Sequence, residues 1–439
     1  MLLRKLINLF VPLRDFLYIL QLEEYEHSRY LAQVQARLLK RGFEKRARLQ
    51  YTGRMQLTYG FAVLVLLMMV SGLFLLPISP YASVAVALAV TPFLTPFVIL
   101  VVSLLVAVPV QIQKRRVLRR AASYFKQQYP DTKVIAITGS FGKTTVKYML
   151  QHVLQYDYKT AIIPDNINTG IGIASYILRQ KIPQNTEILI VEMGAYRRGD
   201  IAESTAVVSP NFSVLTILGD QHLERFGSYD NLVHGKAEIY TSAPNAICYT
   251  TTDAAEILTK HNIDTTRVTA VAAPKTPAAI SSLVTALTLE LGVNESSLTA
   301  SLQSFTPPGR RNNIIKRDGV TIVDNSYNIS PMAAEAMIKQ GAETAKSAGK
   351  QLVVMTAGIG EQGIDAPRVN QEFGELLNKY ATRVIIHPSI YLPDILKTLT
   401  VPYVCTDMGL TVSEHPADWL DGETEMLLWL TDHSDASYL

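Results

Sequence analysis

The apolar positions of this chain follow two patterns, one before and one after Lys133. No Asp, Glu, Lys, Arg or His occurs between Arg54 and Lys114. A membrane-spanning helix needs about 20 apolar residues. The stretch therefore predicts two spans, at about 57–76 and 82–108, joined by a proline-containing turn at 77–80. The alternative is a buried helical hairpin of a soluble domain, although such a hairpin seldom lacks every ionisable side chain.

Basic residues flank the apolar stretch on both sides. They are Lys40, Arg41, Lys45, Arg46, Arg48 and Arg54 before it, and Lys114, Arg115, Arg116, Arg119 and Arg120 after it. The positive-inside rule therefore predicts a multi-pass membrane protein with both ends of the hairpin in the cytoplasm. The first twenty residues suit an amphipathic helix on the membrane surface. A cleaved signal peptide is the alternative, but no small-residue cleavage site follows Leu20.

After Lys133, short apolar runs alternate with segments of helical periodicity. The runs that predict strands are 134–137, 160–163, 188–192, 212–217, 246–250 and 268–271, followed by 320–323, 351–355, 383–386 and 401–404. This rhythm is typical of doubly wound α/β sheets, which bind ligands at the carboxyl ends of their strands. Pro307-Pro308-Gly309 separates two such blocks. We therefore predict a membrane-associated helical region at 1–125, an α/β domain at 126–310 and a second, Rossmann-like domain at 311–439.

Composition narrows the possible functions. Lys and Arg number 41 and Asp and Glu 38, for a net charge of +3, which argues against binding nucleic acid through bulk charge. Cysteine occurs only at Cys248 and Cys405, too few for a disulfide framework or a cysteine metal site. We therefore expect the α/β domains to be cytosolic.

The first predicted strand of the α/β region leads into a phosphate-binding loop. Gly139-Ser-Phe-Gly-Lys-Thr-Thr145 lies between this strand and a helix that carries Val146, Met149 and Leu150 on one face. Small residues let backbone N–H groups approach an anion at a helix N-terminus. The pattern is a shortened Walker loop, since Ile137 stands where the full pattern has its first glycine. Predicted nucleotide-binding residues here are Gly139, Ser140, Gly142, Lys143, Thr144 and Thr145.

Other polar motifs follow further predicted strands. They are Asp165-Asn-Ile-Asn-Thr-Gly-Ile-Gly172, Glu192-Met-Gly-Ala195 and Gly219-Asp-Gln-His222, with Lys236-Ala-Glu238 a few turns later. Carboxylate and hydroxyl oxygens together with phosphate suit Mg²⁺. Glu192, His222 and Thr144 are therefore candidate magnesium ligands. For each residue taken alone there is an alternative: a structural histidine for His222 and a solvated surface lysine for Lys236.

Taken in order, these motifs resemble those of the Mur ligase family. The resemblance rests also on His222-Leu-Glu-Arg-Phe-Gly-Ser228, Pro308-Gly-Arg310 and Asp324-Asn-Ser-Tyr-Asn-Ile-Ser-Pro331, and it covers roughly residues 133–363. Within the family, the motifs resemble most those of the enzymes that add a D-alanyl-D-alanine dipeptide. The resemblance implies an ATP-dependent ligase of peptidoglycan precursor synthesis, which phosphorylates a carboxylate to an acyl phosphate that an amine then attacks.

The resemblance also implies roles for individual residues. Lys143 would bind the nucleotide's terminal phosphates, Thr144 and Glu192 a first Mg²⁺, and His222 a second. Lys236 matches a lysine that the family carbamylates, which would make it a further magnesium ligand, while Arg310 would reach the γ-phosphate. Asp324 would contact the ribose or the domain junction, and Tyr327 and Asn328 would shape the same cleft.

The chain departs from the family pattern at several points. We find no counterpart of the domain that binds the UDP moiety, so a lipid-linked acceptor is a plausible substrate beside a nucleotide-linked one. The Gly-His-Asn segment that contacts adenine is also missing, and 279–286 occupies the helix that should carry it. Near the C-terminus, Trp429-Leu-Thr-Asp432 stands where the family has a Lys-Gly-Ser-like strand.

Three alternatives to the dipeptide-adding ligase remain open. Poly-γ-glutamate synthetases have related chemistry, but their phosphate loop and Asn-Ser-Tyr-Asn region look less like this chain. Ligases that amidate lipid-linked precursors usually carry a cysteine cluster, which this chain lacks. The third alternative is an inactive membrane scaffold that keeps the fold. The intact Lys143, Glu192, His222 and Lys236 argue against it, and the missing adenine motif argues for it.

Overall fold

The computed structural model describes residues 12–23, 25–39, 49–164, 166–219, 223–272, 277–305, 313–317, 320–324, 331–360, 362, 365–405 and 425–430. The chain divides into two compact units, Met1–Arg116 and Val117–Leu439.

The first unit is helical. It contains α1 (Leu13–Leu22), α2 (His27–Leu39), α3 (Gly53–Leu73) and the start of α4, which runs from Pro80 to Gln128. Side chains of all four helices form one apolar core. By length and composition, α3 and α4 can each cross a membrane, and large apolar side chains such as Leu67, Met68 and Leu105 are exposed on their outer faces. This outer surface suits lipid contact.

The structure describes only part of the stretch that we expect to form an amphipathic helix at the membrane surface. Residues 1–11 lie outside the described residues. In α1 the consecutive side chains from Phe16 to Leu20 are all buried, whereas Arg14 is exposed, so residues 16–20 are covered on more than one stripe. Helix α2 is tied to α4 by polar contacts: the Tyr30 hydroxyl donates to the Pro96 carbonyl (3.0 Å), and His27 Nε2 lies 2.9 Å from Ser103 Oγ.

The second unit contains two six-stranded sheets. The first has the order β2-β3-β1-β4-β5-β6, with every described pair parallel. Its strands are β1 (Lys133–Thr138), β2 (Thr160–Ile162), β3 (Ile188–Glu192), β4 (Phe212–Leu215), β5 (Ile247–Thr251) and β6 (Val268–Val271). The helices that accompany it are α5 (Lys143–Leu154), α6 (Gly170–Leu178), α7 (Asp200–Val208), α8 (Leu223–Phe226), α9 (Tyr229–Thr241), α10 (Thr252–Lys260), α11 (Pro277–Glu290) and α12 (Glu295–Ser304).

Both faces of this first sheet are covered, which explains its continuous apolar strands. Alternate residues of β1 enter different cores. Val134 and Ala136 pack with side chains of α6, α7 and α9, whereas Ile135 and Ile137 pack with those of α5 and α11. Because β3 and β4 both pair in parallel with β1, the carboxyl ends of these three strands lie at the same edge of the sheet.

The second sheet has the order β11-β10-β9-β12-β8-β7. Its strands are β7 (Asn313–Arg317), β8 (Val320–Asp324), β9 (Gln351–Thr356), β10 (Arg383–Ile386), β11 (Tyr403–Cys405) and β12 (Glu425–Leu430), with helices α13 (Pro331–Ser347), α14 (Ala366–Tyr380) and α15 (Leu392–Ile395). All pairs are parallel except β7 with β8. The predicted α/β fold class is confirmed. The sequence prediction missed β7 and β12, and β12 lies in the middle of the sheet.

Candidate nucleotide and magnesium site

The loop between β1 and α5 requires its two glycines. Gly139 has φ +145° and Gly142 has φ +81°, backbone conformations that side-chain-bearing residues rarely adopt. A Cβ on Gly139 would overlap Thr216 Oγ1, and one on Gly142 would lie 2.7 Å from Ile280 Cδ1. The loop is therefore closely packed between the end of β4 and helix α11, with its backbone at the N-terminus of α5.

Ser140 fixes this loop to the segment that follows β4. Its backbone N–H donates to the Ile217 carbonyl (2.8 Å). Its hydroxyl donates to the Gly219 carbonyl (2.7 Å) and accepts from the Gly219 N–H (2.9 Å). Because the Ser140 hydroxyl is already hydrogen-bonded to the Gly219 backbone, the main role of Ser140 is to hold the loop in this conformation.

Thr144 and Glu192 meet at the mouth of the loop. The Thr144 hydroxyl, in the first turn of α5, donates to Glu192 Oε2 (2.7 Å) at the end of β3. Glu192 is only 5% exposed. A third group joins them: Lys147 Nζ lies 3.8 Å from the same oxygen and donates to the Ile163 carbonyl (3.2 Å). The hydroxyl, the carboxylate and a buried ammonium group thus form one cluster.

Two further lysines converge on the loop. Lys143 Nζ donates to the Gly139 carbonyl (2.8 Å), and Lys236 Nζ, from α9, donates to the same carbonyl (2.9 Å). Lys236 is 1% exposed, so its interpretation as a solvated surface lysine is wrong. Burial, and secondarily the Lys143 charge, hold the pKa of Lys236 well below its ordinary value. The site therefore favours an uncharged amine at this position.

Loops from neighbouring strands complete the described edge. The Asn168 carbonyl accepts from the Gly194 N–H (2.8 Å), which brings the 166–172 loop against the residues that follow Glu192. Glu238, on α9, accepts from the backbone N–H groups of Gly199 (2.6 Å) and Ala202 (3.1 Å). It thereby caps α7, the helix that follows β3.

The structure describes only part of the predicted site. Lys143, Thr144, Glu192 and Lys236 come together with Gly139, Ser140 and Gly142, and Thr145 lies in the first turn of α5. His222, Arg310, Tyr327 and Asn328 lie outside the described residues, as does the side chain of Asp324, whose backbone ends β8. Sequence reasoning assigned no role to Lys147 or to the Glu238 carboxylate. The position of Lys147 beside Val146, on the buried side of α5, could have indicated a role for this lysine.

The donors present fit a magnesium ion held partly by substrate. Mg²⁺ is usually bound through one or two carboxylates plus phosphate oxygens and water. Thr144 and Glu192 supply hard oxygen donors beside a phosphate cradle. Within the described residues, no group of three or more His, Cys, Asp or Glu side chains forms a complete protein metal site. The arrangement thus suits a metal that is shared with a bound nucleotide.

Comparison with known proteins agrees with this geometry. Residues 137–299 match the Mur ligase middle domain. The UDP-N-acetylmuramoyl-tripeptide--D-alanyl-D-alanine ligase of Bacillus subtilis is 27% identical over 286 residues, which is 54% of this chain and 58% of that protein. The Escherichia coli ligase of the same name is 33% identical over 123 residues, 28% of this chain and 26% of that protein. The chain thus spans less than two thirds of these relatives.

Solved structures show the same fold. MurF from Acinetobacter baumannii superposes with a TM-score of 0.61 at 21% identity, covering 73% of this chain and 77% of that one. MurF from Thermotoga maritima in complex with ADP gives 0.61 at 22% identity, covering 72% and 80%. The predicted resemblance to the Mur ligase family is confirmed.

Proposed function

We propose that this chain, whose residues 137–299 form a Mur ligase middle domain, is an ATP- and magnesium-dependent carboxylate–amine ligase of peptidoglycan precursor synthesis. Its amine substrate is D-alanyl-D-alanine, as the names of the curated relatives suggest. The observation that carries the proposal is the convergence of Lys143, the Thr144–Glu192 pair and the buried Lys236 on one glycine loop.

The reaction has two chemical steps. A carboxylate oxygen of the acceptor attacks the γ-phosphorus of ATP, which releases ADP and forms an acyl phosphate. The amine then attacks the acyl carbon, and phosphate leaves from the tetrahedral intermediate with the carboxylate oxygen. Such chemistry depends mainly on positioning and on neutralising phosphoryl charge.

The residues of this chain supply both requirements. The backbone N–H groups at the start of α5 donate hydrogen bonds to phosphate oxygens. Lys143, which donates to the Gly139 carbonyl here, turns to the terminal phosphates. Thr144 and Glu192 would hold Mg²⁺, which would offset negative charge on the transferring group. His222 and Arg310 are proposed to act at the acyl phosphate and the γ-phosphate.

Lys236 is proposed to act as a carbamate. Its buried, uncharged amine is the form that attacks CO₂: the nitrogen forms a bond to carbon, one proton is released, and a carbamate anion results. An ammonium group would repel a nearby metal ion, whereas a carbamate oxygen would bind it. Asp324 and Asn328 are proposed to contact the nucleotide from the second sheet's domain.

We further propose that α3 and α4 insert in a bacterial cell membrane as a multi-pass hairpin, with residues 126–310 and 311–439 forming catalytic domains in the cytoplasm. The charge-free stretch and its basic flanks support this topology. A membrane position would make a lipid-linked muropeptide an accessible acceptor beside the UDP-linked one.

Product analysis tests the proposal. Detergent-purified protein would receive ATP, Mg²⁺, D-alanyl-D-alanine and either UDP-N-acetylmuramoyl-tripeptide or its lipid-linked equivalent, with Lys143→Ala as the control. We expect ADP release that requires an acceptor, and a product heavier by the dipeptide residue. A reaction with only the lipid-linked acceptor would make it the true substrate. No acceptor-dependent ADP from either would refute the dipeptide ligase and favour another amine substrate or an inactive scaffold.

A further inference from the structure

Lys147 is a buried charge that the proposed reaction does not use. It lies one helical turn after Lys143 on α5, its side chain is 0% exposed, and it is among the largest fully buried side chains of the protein. Removing a charged group from water is costly unless it is paired and hydrogen-bonded. The partners of Lys147 therefore indicate what its burial achieves.

Those partners lie at the ends of two neighbouring strands. Lys147 Nζ donates to the carbonyl of Ile163, which follows β2 (3.2 Å), and lies 3.8 Å from Glu192 Oε2 at the end of β3. The same carboxylate oxygen accepts from the Thr144 hydroxyl (2.7 Å). Lys147 thus sits directly behind the predicted magnesium carboxylate and fixes it from the side of α5.

The charge balance of the described site is also informative. The Lys143 ammonium group donates to the loop, and a second ammonium group, that of Lys147, lies 3.8 Å from the Glu192 carboxylate. Such a cationic site attracts a polyphosphate and repels a free dication. The described residues also contain no cluster of three or more acidic, His or Cys side chains. A metal ion would then bind stably only together with nucleotide phosphates.

We propose that Lys147 is a positioning residue that neutralises Glu192 and so prevents free Mg²⁺ from binding before the nucleotide. This inference rests on the proposed function, because it assumes that Glu192 is a magnesium ligand. The consequence is an ordered site: the ammonium group of Lys147 balances the carboxylate in the free protein, and the incoming phosphates supply the negative charge that makes metal binding favourable.

The test is metal binding without nucleotide. Mn²⁺ serves as the probe for Mg²⁺, because electron paramagnetic resonance distinguishes free from bound Mn²⁺. In the full-length detergent-purified protein, we expect Lys147→Met to bind Mn²⁺ at least about tenfold more tightly than the unsubstituted protein, since one nearby positive charge is removed. A substitution that merely damaged the fold would not increase metal affinity.

Three matched variants sharpen the result. Lys147→Arg keeps the charge and should leave Mn²⁺ affinity within about twofold. Lys159→Met, which removes an exposed lysine, should also leave it unchanged. The double variant Lys147→Met with Glu192→Gln should lose the gain, because the carboxylate that binds the metal is absent.

Unchanged Mn²⁺ affinity in a Lys147→Met protein that melts cooperatively and still binds ADP would overturn the inference. Tight Mn²⁺ binding by the unsubstituted protein would overturn it as well. These outcomes are separate from the proposed function: a protein with the expected Mn²⁺ behaviour but no acceptor-dependent ADP release would refute the ligase proposal alone.

Discussion

Replacing Gly139 by alanine tests whether the glycine loop is the nucleotide site. With φ +145° at this position, a side-chain-bearing residue pays about 1–3 kcal/mol of backbone strain. The added Cβ would also overlap Thr216 Oγ1 and lie 3.1 Å from Thr216 Cβ and 3.2 Å from the Ile217 carbonyl oxygen. The free loop would relax to another conformation to avoid both penalties.

Nucleotide binding must then restore the strained loop, so the penalty appears in the dissociation constant. A restoring cost of about 2–3 kcal/mol corresponds to a 30- to 150-fold weaker Kd. We would measure ADP binding by isothermal titration calorimetry in the presence of Mg²⁺, and the unfolding midpoint by differential scanning fluorimetry. Adding Thr216→Ala to the Gly139→Ala protein removes the overlapping hydroxyl and should recover part of the affinity, relative to Thr216→Ala alone.

Gly292 provides a matched control. Its φ is +89°, but a Cβ there would meet no atom within 4 Å, and the residue lies in the turn after α11. Gly292→Ala should therefore lower the unfolding midpoint without changing the Kd for ADP. Unchanged ADP binding by a folded Gly139→Ala protein, or equal losses in the two variants, would refute the assignment of this loop as the phosphate cradle.

Three other measurements follow from the structure. Because burial lowers the pKa of Lys236, the unfolded state binds more protons than the folded state, and stability rises with pH below the ordinary lysine pKa. In CO₂-free buffer, Lys236→Met should therefore melt higher than the unsubstituted protein at neutral pH, with a difference that shrinks towards pH 10.5; an equal or lower midpoint throughout would contradict this. Glu238→Ala leaves the N–H groups of Gly199 and Ala202 unpaired and should cost about 1–3 kcal/mol in urea unfolding, unlike exposed Glu256→Ala, and a loss no larger than the control's would contradict the cap. Finally, the protein should stay with membranes after alkaline carbonate extraction, whereas release would contradict insertion of α3 and α4.

The sequence predicted the first sheet well because its signals are local. Each strand of that sheet is a short, mainly apolar run followed by a loop or a helix, and the glycines, Lys143 and Thr144 occur in one continuous motif. The convergence of Glu192 on this motif also followed, since parallel strands place their carboxyl ends at one edge. The strand and loop motifs need no knowledge of which strands are neighbours, whereas the Glu192 contact also requires that β3 lie beside β1.

What the sequence did not predict depends on distant contacts. The run Met426-Leu-Leu-Trp-Leu430 of β12 suits a helix or a strand, and only its pairing between β8 and β9 makes it a central strand. The short β7 mixes polar and apolar residues, as antiparallel edge strands do. Similarly, Lys147 comes within 3.8 Å of Glu192 only because α5 packs beside the end of β3.

The measurement that tests the central claim most directly follows an isotope through the reaction. The acceptor would carry ¹⁸O in the carboxylate that forms the new bond, and the released phosphate would be analysed by mass spectrometry. If the carboxylate attacks ATP, each released phosphate should contain one ¹⁸O atom. Continued release of phosphate should require the amine. Unlabelled phosphate would mean that water, rather than the acceptor carboxylate, attacks ATP, and would contradict a ligase that works through an acyl phosphate.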